Sequence, residues 1–212
     1  MRRIHSAYRA LAAGLALGAS FLAWPLAPDP MPIHWDIHGA ADGYAPKALG
    51  LLLLPIFTFV LPGLSSWVSR RDPLSAGTRR ALEITLSASA TLLVSLHALV
   101  IHAALSPTHA LQMALVPPLL SSLALVIGWV LPDTAPNRWI GVRTKATMAH
   151  EGTWKVVHRF AGRAMLAAGV AGLAASLLAP AQVAFAISVS AMVLAGVAPM
   201  VLAFALGRTR RG

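Results

Sequence analysis

The sequence contains no cysteine and few charged residues. The missing thiol excludes disulfide-stapled scaffolds, zinc–thiolate sites, cysteine nucleophiles and thiol redox switches. Charged residues make up 11% of the 212 residues, whereas a soluble domain carries about 25%. Hydrophobic residues make up 57%, so the chain lacks the polar side chains needed to cover a water-soluble domain. The composition therefore predicts a protein whose solvent is the lipid bilayer.

Four runs of the sequence lack Asp, Glu, Lys and Arg altogether. They cover residues 10–28, 48–69, 84–132 and 164–207. A helix needs about 20 apolar residues to cross the hydrocarbon layer, so the two shorter runs correspond to one span each. The two longer runs each contain a central turn signal, at 106–109 and at 180–182. The pattern predicts an all-α integral membrane protein with six transmembrane helices, at residues 7–27, 48–69, 82–105, 109–131, 161–179 and 182–206.

Basic residues are distributed unevenly between the predicted loops. With six spans, every Lys and Arg except Lys47 lies on the side of the two termini, the 70–80 loop and the 132–160 loop. The opposite side holds Lys47 together with Asp29, Asp36 and Asp42. Because short cytoplasmic loops are rich in Lys and Arg, both termini are predicted to be cytoplasmic. The net charge of +10 is thus a topology signal, and no direct nucleic-acid binding is predicted.

Prolines and a possible leader affect two of the predicted spans. Pro117 and Pro118 fall inside the fourth span, where they are expected to interrupt the helix. The first run follows Arg2 and Arg3, as a signal peptide does, but it lacks a small-residue cleavage site and is therefore interpreted as a span.

Three ionisable residues lie at predicted membrane depth: Glu83, His97 and His102. Glu83 is expected to pair with Arg79 or Arg80 near the end of its span. His97 is deeper, and a neutral histidine that hydrogen-bonds across helices is favoured over a proton-transfer role. Since the spans contain no deep pair of carboxylates, neither catalytic chemistry nor a cofactor is predicted.

The first polar loop contains His34, Asp36 and His38. In an extended strand these alternating side chains would point the same way and offer a site for Zn²⁺ or another divalent cation. The alternative is a turn-rich loop in which His34 and Asp36 hydrogen-bond to the backbone, with Trp35 and Tyr44 at the membrane interface. Spacing alone is a weak metal signal, so the second interpretation is favoured.

The 132–163 loop is the most informative stretch. Thr147 is predicted to be the N-cap of a short amphipathic helix before the fifth span. Glu151, Lys155 and Arg159 then form a row at i, i+4 spacing with the favoured acid-first order. Such a basic helix is typical of the headgroup surface of a membrane, and it also suits an acidic or cytoplasmic protein partner.

Both loops carry motifs of a known family. The first motif is Met31-Pro32-Ile33-His34-Trp35 with Gly39, Asp42-Gly43-Tyr44 and Lys47. The second is Asn137-x-x-x-Gly141-Val142-Arg143-Thr144-x-x-Thr147, followed by Trp154, His158-Arg159 and Gly162. Together they resemble the SdpI family of bacterial membrane proteins, in the version that begins with a small domain of unknown function. Asp36 departs from the family, which more usually has Asn there.

The resemblance implies a protein of the bacterial cytoplasmic membrane that senses, or gives tolerance to, a membrane-active peptide. The family's namesake protects its producer against a secreted toxic peptide and holds a cytoplasmic transcriptional repressor at the membrane. An N-terminal two-helix domain is expected at residues 1–80 and an SdpI-like four-helix domain at 81–212. The implied binding residues are His34 outside, and Asn137, Gly141, Arg143, Thr144, Thr147, Trp154 and His158 inside.

Two other hypotheses stay open at this point. A small transporter or metal-dependent membrane enzyme would use His34, Asp36 and His38, with His97 and His102 behind them. A membrane-anchored scaffold would bind a cytoplasmic partner through the 132–163 loop without any outer ligand.

Overall fold

The computed structural model describes residues 2–209. Arg210 and Arg211, which contribute to the topology argument, lie outside this part of the chain. The described elements, in chain order, are α1 (Arg2–Ala23), β1 (Met31–Trp35), β2 (Ala41–Ala45), α2 (Lys47–Arg71), α3 (Ala76–Leu105), α4 (Val116–Val130), α5 (Lys145–Ala149), α6 (Glu151–Leu178) and α7 (Ala181–Thr209). Helices α1, α2, α3, α6 and α7 are long and apolar enough to cross a membrane, and so is α4 together with the 3₁₀ turns at its two ends (Met113–Asp133). This confirms the predicted set of six. The short hairpin of β1 and β2 is an addition to the all-α prediction.

The fourth span starts later than predicted, and its two prolines do not interrupt it. A 3₁₀ turn covers Met113–Leu115, and α4 then begins at Val116 with Pro117 and Pro118 in its first turn. The first N–H groups of a helix have no intrahelical partner, so proline costs nothing there. The prolines therefore begin this helix.

The fifth span starts about ten residues earlier than the predicted residue 161. Helix α6 is continuous from Glu151, and the segment predicted as a short amphipathic helix that runs into the fifth span forms its first turns. Glu151 and Lys155 form the predicted i, i+4 ion pair at 2.8 Å. The row stays helical without interruption because no proline separates it from the apolar stretch that follows.

The helices pack as two groups that meet between α3 and α4. Helices α1, α2 and α3 contact one another, and α4, α6 and α7 do the same. At the closest approach of α4 and α6, a Cβ on Gly128 would lie 2.7 Å from the carbonyl oxygen of Gly162. Small residues thus let these two backbones touch. The division of the chain at residue 80 stays a prediction.

A buried ion pair joins the first three helices, and it corrects the predicted partners of Glu83. Arg9 Nη2 lies 2.8 Å from Glu83 Oε2, and both side chains are almost fully buried. The Ser65 hydroxyl donates to the other carboxylate oxygen of Glu83. Arg79 and Arg80 are instead exposed. A carboxylate at this depth is thereby paired within the protein.

His97 hydrogen-bonds across helices, as the favoured interpretation predicted. Its Nε2 lies 2.8 Å from the hydroxyl oxygen of Ser20 on α1. The same hydroxyl donates to the carbonyl oxygen of Leu51 on α2 at 2.5 Å. His97 is therefore part of a contact that joins α1, α2 and α3. His102 lies exposed on the surface of α3.

Candidate functional site

The polar loop between α1 and α2 folds into an antiparallel hairpin, residues 31–45, that is docked on the α3–α4 connection. Strand β1 pairs with β2 in a register that places Met31 opposite Ala45. The indole N–H of Trp35 donates to the carbonyl oxygen of His109 at 2.8 Å. The backbone N–H of Leu111 donates to the carbonyl oxygen of Gly39 at 2.9 Å. These contacts give the hairpin a fixed position at one end of the helices.

The hairpin does not bring His34, Asp36 and His38 to one face. Strand β1 ends at Trp35, and Asp36 Oδ1 accepts hydrogen bonds from the backbone N–H groups of His38 and Ala40, at 2.8 and 2.9 Å. Asp36 is therefore a turn-forming acceptor, which agrees with the turn-rich interpretation.

The partners of the two histidines also differ from a metal site. His34 Nδ1 lies 2.5 Å from Asp42 Oδ1, so its partner is a side chain and not the predicted backbone. His38 Nδ1 lies 3.4 Å from the side-chain nitrogen of Gln182. Within residues 2–209, no group of three or more His, Cys, Asp or Glu side chains is placed to hold a metal ion.

The turn at Asp36 predicts a specific pH dependence of the hairpin. Hydrogen bonds from the backbone N–H groups of Ala40 and His38, helped by the nearby His38 side chain, hold the pKa of Asp36 below its ordinary value of 3.8. A lowered folded-state pKa stabilises the turn above the unfolded-state pKa, and this contribution disappears as the pH falls through the folded value. We expect the NMR amide shifts of His38 and Ala40 to show a transition below about pH 4, as the Asp36 carboxylate becomes protonated.

Asp36→Asn is the control for this titration, since it keeps the oxygen acceptor and removes the ionisation. In that variant the amide shifts of His38 and Ala40 should lose the acidic transition. An unchanged transition in Asp36→Asn would show that another group drives it.

The second site is the signature loop, residues 134–150, which connects α4 to α6 at the other end of the helices. Its first turn is closed by the buried amide of Asn137. Asn137 Oδ1 accepts from the backbone N–H groups of Trp139 and Ile140, at 2.8 and 2.9 Å. Its Nδ2 donates to the carbonyl oxygens of Ala135 and Ile140. Asn137 thus uses its full hydrogen-bonding capacity to shape the backbone.

Two contacts attach this loop to α2 and α3. The Trp139 ring packs edge-on against Trp67 of α2, with ring centroids 5.0 Å apart. The hydroxyl of Thr78, in the first turn of α3, accepts from the backbone N–H of Ala135 at 2.9 Å. At the neighbouring Gly77, a Cβ would lie 2.1 Å from the carbonyl oxygen of Asp133. The signature loop therefore packs closely against the last turns of α2 and the first turn of α3.

The centre of the loop rests on His158 of α6. Gly141 has a φ of +110°, and a Cβ there would lie 2.2 Å from His158 Nε2. This ring nitrogen accepts from the backbone N–H of Val142 at 3.0 Å, while Nδ1 pairs with the carbonyl oxygen of Trp154 at 2.9 Å. An acceptor Nε2 and a donor Nδ1 define the neutral tautomer. Gly141 is required here because any side chain would occupy the position of the imidazole.

Trp154 completes this buried support. Its ring stacks on His158 with centroids 3.9 Å apart, and its indole N–H donates to the carbonyl oxygen of Thr134 at 2.8 Å. Both rings are fully buried. Thr134 was not among the predicted site residues, because a backbone acceptor twenty positions away leaves no sequence pattern.

The two threonines of the motif form a capping box, and their predicted roles change. Thr144, not Thr147, is the N-cap residue, and it precedes the short helix α5. Thr147 is the third residue of α5, and its hydroxyl accepts from the Thr144 N–H and donates to the Val142 carbonyl, both at 2.8 Å. The helix that contains the row beginning at Glu151 is α6, and its N-cap is His150, three residues after the predicted Thr147.

Arg143 is the exposed member of the predicted inner set. Asn137, Thr147, Trp154 and His158 are buried, and Gly141 and Thr144 are half-buried in the loop backbone. Arg143 projects into solvent beside Lys145, and its Nη1 donates to the carbonyl oxygen of Arg138. The motif therefore builds a folded loop whose accessible surface is cationic.

The hairpin and the signature loop lie at opposite ends of α2. This helix begins directly after the hairpin and ends near Trp67, where Trp139 packs. Its 25 residues correspond to about 37 Å, which exceeds the ~30 Å hydrocarbon layer. The two polar sites are thus separated by one membrane thickness.

Comparisons with known proteins agree with this arrangement. Residues 134–206 match the model of the SdpI/YfhL protein family. Residues 11–59 match a domain of unknown function, DUF1648. The first match covers the signature loop, α6 and most of α7, and the second covers the second half of α1, the hairpin and the first half of α2. The curated proteins and the solved structures contain no match to the chain. The chain is thus a multi-pass membrane protein in which residues 134–206 resemble the SdpI/YfhL family and a DUF1648 match lies ahead of them.

Proposed function

We propose that this protein is an SdpI-type membrane protein that senses, or gives tolerance to, a membrane-active peptide and relays its presence to a cytoplasmic partner without catalysing a reaction. The observation that carries the proposal is the signature loop, whose buried residues hold an exposed Arg143 in a fixed place. A rigid cationic surface suits recognition of a partner, because its side chains lose little freedom on binding. By resemblance, that partner is a transcriptional repressor.

The hairpin is the proposed contact for the peptide. It carries the exposed side chains of His34, Ile37 and Tyr44, which combine polar and apolar surface beside the membrane. With the basic residues concentrated on the side of the signature loop, we place that loop in the cytoplasm and the hairpin outside. The protein would then belong to the bacterial cytoplasmic membrane.

Deletion and complementation test this function in the native host. We expect deletion to raise sensitivity to some envelope-active peptides and wild-type protein to restore tolerance. Arg143→Ala should fail to restore the signalling response although the protein inserts normally, because the buried bonds of the loop do not involve the Arg143 side chain beyond Arg138. Reporter expression, peptide sensitivity and protein amount in the membrane are the three measurements.

The matched control is Arg159→Ala, which removes an exposed positive charge from α6 outside the signature loop. It should complement as well as wild type. Unchanged sensitivity to every peptide after deletion would count against the tolerance role. Loss of membrane insertion in Arg143→Ala would show that this residue has a structural role instead.

The scaffold hypothesis and this proposal differ only in whether the hairpin binds a peptide. A pull-down of cytoplasmic proteins with the full chain, with and without Arg143→Ala, tests the loop in both cases. Substituting His34 and Tyr44 should then abolish the response to peptide in our proposal, whereas a pure scaffold would show no response to peptide even as the wild type.

A further inference from the structure

A cavity of about 530 Å³ lies between the signature loop and the last turns of α7. Residues 143–146 form one wall, and α7 forms the other. The two elements approach closely at Gly207, where a Cβ would lie 3.0 Å from the Cβ of Ala146. The volume falls within the roughly 300–1,000 Å³ that small-molecule sites occupy. The fold thus leaves room for a ligand beside the exposed part of the loop.

The lining of this cavity is cationic at one end and apolar along one side. Arg143, Lys145 and Arg208 bring three positive charges to it, and neither Asp nor Glu is among its described lining residues. Met200 and Phe204 supply the apolar wall, with 46% and 63% of their surfaces exposed. Because these two residues belong to a membrane span, their exposed surfaces face the acyl chains.

The order of these groups along α7 follows the order of groups in a phospholipid. Arg208 lies at the end of the helix, and Met200 lies eight residues earlier, a rise of about 12 Å toward the membrane centre. A phospholipid likewise has its phosphate at the interface and its acyl chains below. The Arg143 guanidinium has five N–H donors and gives one to Arg138, so others are left for a phosphate oxygen.

We propose that this cavity binds one anionic phospholipid, with the phosphate held by Arg143, Lys145 and Arg208 and an acyl chain against Met200 and Phe204. Charge complementarity selects an anionic headgroup, and the apolar wall selects a lipid over a soluble phosphate. The bound lipid would hold the signature loop against α7. This inference goes beyond the proposed function, because it requires neither a toxic peptide nor a repressor.

Native mass spectrometry of the full chain in detergent tests the proposal directly. Phosphatidylglycerol and phosphatidylcholine with identical acyl chains are titrated in parallel, and inorganic phosphate forms a third arm. We expect phosphatidylglycerol to bind at one preferred site, at least about tenfold more tightly than phosphatidylcholine, with no retention of phosphate. Equal binding of the two lipids, or retention of phosphate alone, overturns the proposal.

Three variants separate a defined site from diffuse attraction. Arg143→Gln/Lys145→Gln/Arg208→Gln should lose the preference for phosphatidylglycerol. Arg70→Gln/Arg159→Gln/Arg163→Gln removes the same charge from exposed positions outside the cavity and should keep it.

The third variant, Met200→Trp, fills the cavity without changing any charge, and it should weaken phosphatidylglycerol binding. An equal loss in the two triple variants, or full binding in Met200→Trp, would show that the cavity is not the lipid site. The titration uses no peptide and no repressor, so its failure leaves the proposed function untouched.

Discussion

Gly141→Ala is expected to disrupt the signature loop by about 3 kcal/mol while the six helices remain inserted. Two costs add at this position. The φ of +110° is unfavourable for any residue with a Cβ, and the new methyl group would lie 2.2 Å from His158 Nε2. The imidazole must move away, which removes the acceptor of the Val142 N–H and disturbs its stack on Trp154.

Hydrogen exchange measures this effect locally. The amide of Val142 should exchange much faster in Gly141→Ala, while amides inside α3 and α7 stay protected. Gly152→Ala is the matched control, because a Cβ at Gly152 meets no atom within 4 Å and its position is helical. That control should leave Val142 protection unchanged. Normal protection in Gly141→Ala would mean that His158 does not support the loop.

The number of helices was predictable because a span is defined by a local property, the length of its charge-free run. The 48–69 run and helix α2, Lys47–Arg71, nearly coincide for this reason. The predicted helix boundaries were wrong where the charge-free run does not determine the residue at which a helix begins. Pro117 can begin a helix or bend one, and the choice depended on the 3₁₀ turn that precedes it.

The motif of the signature loop was found from the sequence, but the roles of its residues were not. The sequence places Gly141 and His158 seventeen positions apart, and only the folded chain shows that the glycine leaves space for the imidazole. A motif indicates that residues act together. It does not separate those that build a loop from those, such as Arg143, that the loop presents.

The Arg9–Glu83 pair was missed for a related reason. Arg79 and Arg80 were the predicted partners because they lie about one helical turn before Glu83 in the sequence. The actual partner is on α1, and the choice follows from which face of α3 packs against α1 and α2. Because the spans contain few charged residues, the sequence does not indicate which face of α3 packs against α1 and α2. Buried polar contacts such as this one could be identified only from the packed helices.

Breaking this pair is expected to have the largest effect on global stability. Arg9→Met leaves the Glu83 carboxylate buried without its cation, and such a change costs about 3–5 kcal/mol. Glu83→Leu leaves the Arg9 guanidinium buried and should be similarly destabilising. Reversible denaturation in mixed micelles, followed by tryptophan fluorescence, measures both variants.

The double variant Arg9→Met/Glu83→Leu distinguishes charge pairing from packing. Replacing a buried ion pair by apolar residues of similar size is often neutral, so the double variant should recover most of the wild-type stability. Lys155→Ala serves as a control, since its ion pair with Glu151 is exposed and should contribute nothing measurable. If the two single losses simply add in the double variant, the side chains act by filling space and not through their charges. Recovery would instead mean that the cost in the single variants comes from one uncompensated buried charge, and that the first three helices tolerate an apolar contact there.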